Sequence, residues 1–338
     1  MSTSEDPFEI YRQRSLEAIA GIKSHIEEEL EDRLPKLIGE HTCIYATGSC
    51  GRLEMGEGSD LDAYVVRVDG EAIAKQAELE AAVASANEDQ GLPPLDGDGK
   101  FLKLVNAQKM LDLLGSPDDD DIDTQIFTKR MLLILESQVL VGKSAYDATI
   151  DKVIDAYWQN EQLHADDYLP FVLVNDIIRY WRIVLLNHEW KLRGKQMSED
   201  RLLAERRYRS LKLRFPRCLS CFSALTYLLA LTPKEPAHVS KENVRQMIDM
   251  PPLDRLRGLT KLPDVSPKAG PLVDNLLSLY SEYLEHNNRG KEALVEQLEN
   301  DLDFPRSLSE DGQQFTKLMF ELVQELGGGR PLHRHMVV

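Results

Sequence analysis

Cysteine, basic residues and long apolar runs are all scarce in this chain, and each shortage excludes something. Four cysteines among 338 residues are too few for a disulfide scaffold, and a reducing compartment would keep them as thiols. Cys218 and Cys221 form a CxxC, but the second pair that a zinc site of this kind needs is missing. Phe215, Phe222, Leu225 and Leu228 surround them at helical spacing and mark them as core thiols. Lysine and arginine number 40 against 57 aspartates and glutamates, a formal charge of -17. A general nucleic-acid coat is thereby excluded, because such affinity comes mostly from neutralised phosphates. The longest apolar stretches, such as 131–135 and 224–231, fall far short of the ~20 residues that span a bilayer. Residues 1–7 contain no basic segment leading into an apolar one. The expectation is a cytoplasmic protein with no membrane partner.

What is present is enough to fold: 42% of residues are hydrophobic and 29% charged, an ordinary balance for a globular protein. Ile10, Leu16, Ile19, Ile22, Ile26 and Leu30 recur at roughly helical spacing and predict an amphipathic helix over 8–37. Short β-prone runs follow at 43–46, 61–68 and 100–105, with an Ala- and Glu-rich helix at 71–87 and a Pro/Gly loop at 90–99. Strand, helix and strand in that order suggest a small α/β unit. Beyond Ala107 the periodicity is helical, in segments 127–140, 146–158, 169–190, 200–231, 241–250, 271–286, 291–302 and 309–326. The run Asp118–Asp121 reads as a solvated helix start that complements the macrodipole. Gly327, Gly328 and Gly329 close the last helix and free a short tail. The expected fold class is α+β: an α/β domain over 1–106, an all-helical domain over 107–330 and a flexible tail over 331–338.

The chemistry is concentrated in residues 47–62, Thr-Gly-Ser-Cys-Gly-Arg-Leu-Glu-Met-Gly-Glu-Gly-Ser-Asp-Leu-Asp. Gly48 and Ser49 follow a strand and turn toward a helix, so backbone N–H groups and a hydroxyl converge where an anion can sit. Asp60 and Asp62, one residue apart on a predicted strand, fall on the same face. Two such carboxylates repel unless a divalent cation lies between them, and hard oxygen donors suit Mg2+ or Mn2+. A phosphate cradle opposite a metal cradle is the arrangement nucleotidyl transfer requires.

This segment resembles the signature of the DNA polymerase β-like nucleotidyltransferase superfamily, in which a Gly-Ser turn precedes an acid-x-acid strand. The form Gly-Ser-x-Gly-Arg-x-Glu followed by Ser-Asp-Leu-Asp is most similar to the branch that contains the PII-protein uridylyltransferases. Residues 127–142 are similar to the helix after the catalytic sheet in that branch, with Gln138 in place of the usual arginine, and Asn175–Arg182 reads as a helical-domain signature. The resemblance implies a small mixed-sheet nucleotidyltransferase domain followed by a helical bundle, without the branch's regulatory modules. It implies that an NTP donates its NMP to an acceptor hydroxyl, with Asp60 and Asp62 holding the metals. Gly48, Ser49 and Ser59 would lie at the phosphates. The acceptor is open: a protein, a small molecule, an RNA end or a second nucleotide, the acidic charge favouring the first two. Active members carry a third carboxylate. Asp96 and Asp98 are the candidates, Asp98 preferred because it leads directly into the third strand, against a plain Asp-Gly turn. Without that acid, the alternative is an inactive NTP-binding regulator that acts through its helices.

The basic residues have two readings each. Arg52 either contacts phosphate or pairs with Glu54 or Glu57. The stretch 201–217 holds seven Lys or Arg and one Glu, of which Lys212 and Arg214 are the candidates to face phosphates while others pair on the surface. Asp176, Arg179 and Tyr180 fit either a polar stripe toward a cleft or an Asp176–Arg179 structural pair.

Overall fold

Periodic apolar residues and the absence of glycine before Gly21 start the chain in a long helix, α1 (Glu9–Leu30). The computed structural model describes residues 6–69, 76–95, 104–121, 124–164, 167–190, 197–232, 238–301 and 304–336. Two units divide the chain, Met1–Ala156 and Tyr157–Val338, and together they form a mixed α+β protein.

In the first unit α1 is followed by α2 (Leu34–Ile38), β1 (Thr42–Thr47), α3 (Gly48–Gly51), β2 (Asp62–Arg67) and α4 (Gln76–Asp89). Next come β3 (Val105–Asn106), α5 (Ala107–Asp112), α6 (Ile126–Leu135), β4 (Gln138–Val141) and α7 (Lys143–Tyr157). The helix expected over 8–37 breaks at Glu31, which takes φ 42, and restarts with Pro35 in the first turn of α2. Its buried face is Tyr11, Ser15, Ala18, Ile22, Ile26 and Leu30, whereas Ile10 and Leu16 are exposed. Ser15 sits on that face because its hydroxyl is hydrogen-bonded on both sides, to the Tyr11 carbonyl and the Met55 N–H.

The sheet runs β3-β2-β1-β4. β1 is antiparallel to β2 and to β4, and β2 is parallel to β3. All six residues of β1 are buried, as befits a central strand. One face of the sheet, with Ile44, Ala46, Ala63 and Val65, packs on Ile22 and Ile26 of α1 and Leu79 and Val83 of α4. On the other face Tyr45 lies 5.7 Å from Tyr64 and 6.0 Å from Tyr146 of α7, ring to ring.

Two expectations are corrected here. The helix expected over 127–140 ends at Leu135, and Gln138–Val141 joins the sheet beside β1. Strand structure therefore persists beyond the boundary expected at 106/107, and β4 belongs to the first unit. Its two valines suit a strand, and pairing with β1 outweighs a helical period read over so short a window. The acidic run is also not wholly solvated. Asp119 is buried and accepts from Arg130 Nη1 at 2.8 Å, and Arg130 donates as well to the Met110 carbonyl at 2.9 Å.

The described part of the second unit is helical: α8 (Phe171–Trp190), α9 (Glu199–Lys212), α10 (Cys218–Leu231), α11 (Lys241–Asp249), α12 (Pro252–Gly258), α13 (Ala269–Asn287), α14 (Lys291–Asn300), α15 (Phe304–Gly327) and α16 (Pro331–Arg334). The single helix expected over 200–231 is interrupted by a wide π segment, Leu213–Arg217, because Pro216 has no N–H to donate. α10 is the buried centre, with Cys218 and Cys221 at 3% and 0% exposure, the core thiols of the sequence reading. Phe215 stacks on Tyr283 at 4.6 Å. The tail expected to be free is docked at its start: Leu332 is buried, and buried Arg330 donates to the carbonyls of Ala230, Thr232 and Asp264. Among the described residues no helix is long and apolar enough to cross a membrane.

Candidate active site

The two ends of the motif are brought together by strand register. β1 ends where β2 begins, with Thr47 opposite Asp62, and Thr47 Oγ1 donates to the Asp62 carbonyl at 3.4 Å. Gly48 then takes φ +64, and a Cβ built there would lie 2.6 Å from Asp62 Oδ2. The carboxylate is thus packed against the bare backbone of the turn, which only glycine permits. Gly51 is constrained by backbone instead, since its Cβ would lie 2.2 Å from the Glu136 carbonyl and 2.9 Å from that of Ala46.

The loop beyond the turn is tied back to it. The Glu54 N–H donates to the Ser49 carbonyl at 2.8 Å. α1 holds the same loop from outside: the Met55 N–H donates to Ser15 Oγ at 2.9 Å, and Arg14 donates to the Met55 carbonyl at 3.3 Å. Ser59 closes the loop by accepting the Gly56 N–H at 2.9 Å, so its hydroxyl serves the backbone. Half-buried Ser49 makes no side-chain hydrogen bond among the described residues.

The two aspartates differ in setting. Asp62 is half-buried and opens β2, while Asp60 is exposed in the loop before it. Strand alternation therefore does not by itself put them on one face, contrary to the sequence reading. Burial pushes the Cys50 thiol up to about 12, with the nearby Asp62 charge adding to the effect. Among the described residues no group of three or more His, Cys, Asp or Glu converges on one point. Asp98, the expected third acid, and Asp96 lie outside the described residues. β3 pairs with β2 at Val66 and Arg67.

Arg52 takes the pairing alternative. Its side chain is 7% exposed, and the guanidinium donates from Nε to Glu54 Oε2 at 2.8 Å and from Nη1 to Glu136 Oε2 at 3.0 Å. Glu57 instead lies 3.8 Å from Arg14. The residue that sequence reasoning missed is Glu136. A signal was there: one carboxylate inside the apolar run of 131–141 must find a partner if the run is buried.

The basic stretch is largely committed within the helical unit. Arg201 pairs with Glu292 and, at 3.4 Å, with Glu299, and Arg207 donates to the Leu298 carbonyl at 3.3 Å, which pins α9 to α14. Lys291 returns the contact to buried Glu205 at 2.9 Å. Of the two phosphate candidates, Lys212 sits over the Tyr208 ring at 5.5 Å. Arg214 donates to the Ser309 carbonyl at 3.0 Å and its hydroxyl at 3.2 Å. Asp176 accepts from Tyr157 at 2.7 Å and lies 3.8 Å from Arg179, the structural-pair alternative, and Tyr180 accepts from Arg217 at 3.2 Å. The sequence matches no protein-family model, and no curated protein matches it.

Proposed function

We propose that the chain is a metal-dependent nucleotidyltransferase whose donor site lies at the Gly48 turn and Asp62. The observation that carries this reading is the packing of the Asp62 carboxylate against the turn, 2.6 Å from where a Gly48 Cβ would be. A phosphate-binding backbone and a metal-binding carboxylate must be this close to act on one triphosphate. The donor set fits the metal, since Asp60 and Asp62 offer hard oxygen ligands of the kind Mg2+ and Mn2+ take. When bound, the divalent cation neutralises charge on the triphosphate.

The residues of the chain supply the rest. Ser49 donates its hydroxyl to a phosphate oxygen, and the Gly48 turn presents backbone N–H groups to the same group. The acceptor hydroxyl oxygen bonds to the α-phosphorus, the bond to the β-phosphate oxygen breaks, pyrophosphate leaves and the hydroxyl proton goes to a base. Asp98 is the candidate for that base. Arg52 is set aside as a phosphate ligand because its buried guanidinium is paired with Glu54 and Glu136, whereas Ser59, Lys212 and Arg214 remain candidates. In this reading the acceptor is a protein or a small molecule, in keeping with the acidic charge.

The test is incubation with each labelled NTP and Mg2+ or Mn2+, following pyrophosphate release. Release that is abolished in the Asp60→Ala, Asp62→Ala double variant supports the enzyme. Tight NTP binding with no turnover under any acceptor condition would sink it and leave an NTP-binding regulator. Asp98→Asn is expected to fold and lose turnover; unchanged turnover moves the base elsewhere.

A further inference from the structure

We infer that Glu136 is a positioning residue for the donor site, acting through Arg52 to set the Ser49 turn against the Asp62 carboxylate; this rests on the nucleotidyltransferase reading above. α3 has four residues, too few to hold itself rigid by helical hydrogen bonds. Its placement is therefore set by what grips it.

On one side the grip is β1, from which the turn emerges. On the other it is the corner between α6 and β4, and Glu136 is that corner. Its backbone carbonyl fills the place of a Gly51 Cβ, and its carboxylate accepts from Arg52 at 3.0 Å. Arg52 follows α3 immediately, and its N–H donates to the Gly48 carbonyl at 3.0 Å. The same guanidinium binds Glu54, whose N–H returns to the Ser49 carbonyl. One buried planar cation thus joins the turn, the loop behind it and the α6–β4 corner, and its fork geometry sets angles as well as distances.

The carboxylates outnumber the guanidinium in this group by two to one. For stability alone, a buried charged triad is a poor choice beside apolar packing. A fixed orientation is what it offers in exchange, and the element it orients carries Ser49 and abuts Asp62. Small displacements of a phosphate-binding hydroxyl are costly in a site that works by alignment.

The experiment is a double-mutant cycle between Glu136→Gln and Ser49→Ala, read as the Kd for an NTP with Mg2+ on the full-length protein. Glu136→Gln keeps an acceptor for Arg52 and leaves Glu54 in place, so it is expected to fold. Arg52→Lys, which keeps the charge but loses the fork, is the second variant if it does not. The expected result is affinity weakened about tenfold by Glu136→Gln in the parent background and less than about twofold in the Ser49→Ala background. A merely structural role would give equal losses in both backgrounds. Equal losses, or no loss in the parent, overturn the inference and leave the donor-site reading standing. Failure of the parent protein to bind any NTP overturns the reading and the inference together.

Discussion

Gly48 and Gly51 have the same side chain and different reasons for it. At Gly48 the obstacle to a Cβ is the end of the Asp62 side chain, which can swing away, and the φ of +64 adds the roughly 1–2 kcal/mol that left-handed backbone costs an L-residue. Gly48→Ala should therefore leave the first unit folded while displacing Asp62, so that, on the proposed nucleotidyltransferase reading, pyrophosphate release is lost with a small change in urea midpoint. At Gly51 the obstacles are two backbone carbonyls held in the sheet and at the α6–β4 corner, and neither can move alone. Gly51→Ala should cost about 3 kcal/mol of stability. Urea denaturation of both variants checks the contrast; equal stability losses would contradict it. Serine at position 15 follows similar logic. An apolar residue there would suit the helix face, but only a hydroxyl takes the Met55 N–H while donating to the Tyr11 carbonyl at 2.7 Å.

Among the elements, the best anticipated are those whose residues answer to their immediate neighbours. β1 and β2 were legible because β-branched and aromatic residues cluster there between turn signals, and the register that joins Thr47 to Asp62 follows from that pairing. β4 was hidden, since Leu132–Leu135 and Val139–Val141 are equally apolar and only pairing with β1 separates helix from strand. The docked C-terminal segment was hidden for another reason: Arg330 satisfies carbonyls at the end of α10, far away in sequence. Arg330→Ala leaves those carbonyls and that of Asp264 without their donor in a buried place, at about 2–4 kcal/mol. A lowered urea midpoint for the helical unit is the expected reading, and an unchanged one would mean that the tail is not held there. The interrupted helix over 200–231 was legible only in part; Pro216 signals a break, but the wide turn that keeps Phe215 stacked on Tyr283 depends on packing.

For the whole molecule, the net charge of -17 says nothing of the buried thiols and Tyr45, which shape its response to alkaline pH. Burial raises Cys43 and Cys50 from the ordinary 9.0 to about 12, and lifts Tyr45 well above its ordinary 10.0. A raised folded-state value means the native form holds protons that the unfolded chain gives up. The stability these thiols contribute is thus complete below about pH 9 and is lost as pH rises toward about 12. The urea midpoint should fall between about pH 8 and pH 10.5, and Cys43→Ala should make that fall shallower; a flat profile would contradict the burial. By itself the sequence determined that the chain folds, that it has a small strand-bearing part before a helical one, and that residues 47–62 hold its most distinctive motif, because composition, periodicity and turn signals are local properties. Only the tertiary structure decided that Arg52 is a buried strut, that Glu136 is its partner, and that most of the basic stretch pins helices together. A charged side chain has the same local signature whether it meets solvent, substrate or a carboxylate from a distant segment, and only folding brings that segment to it.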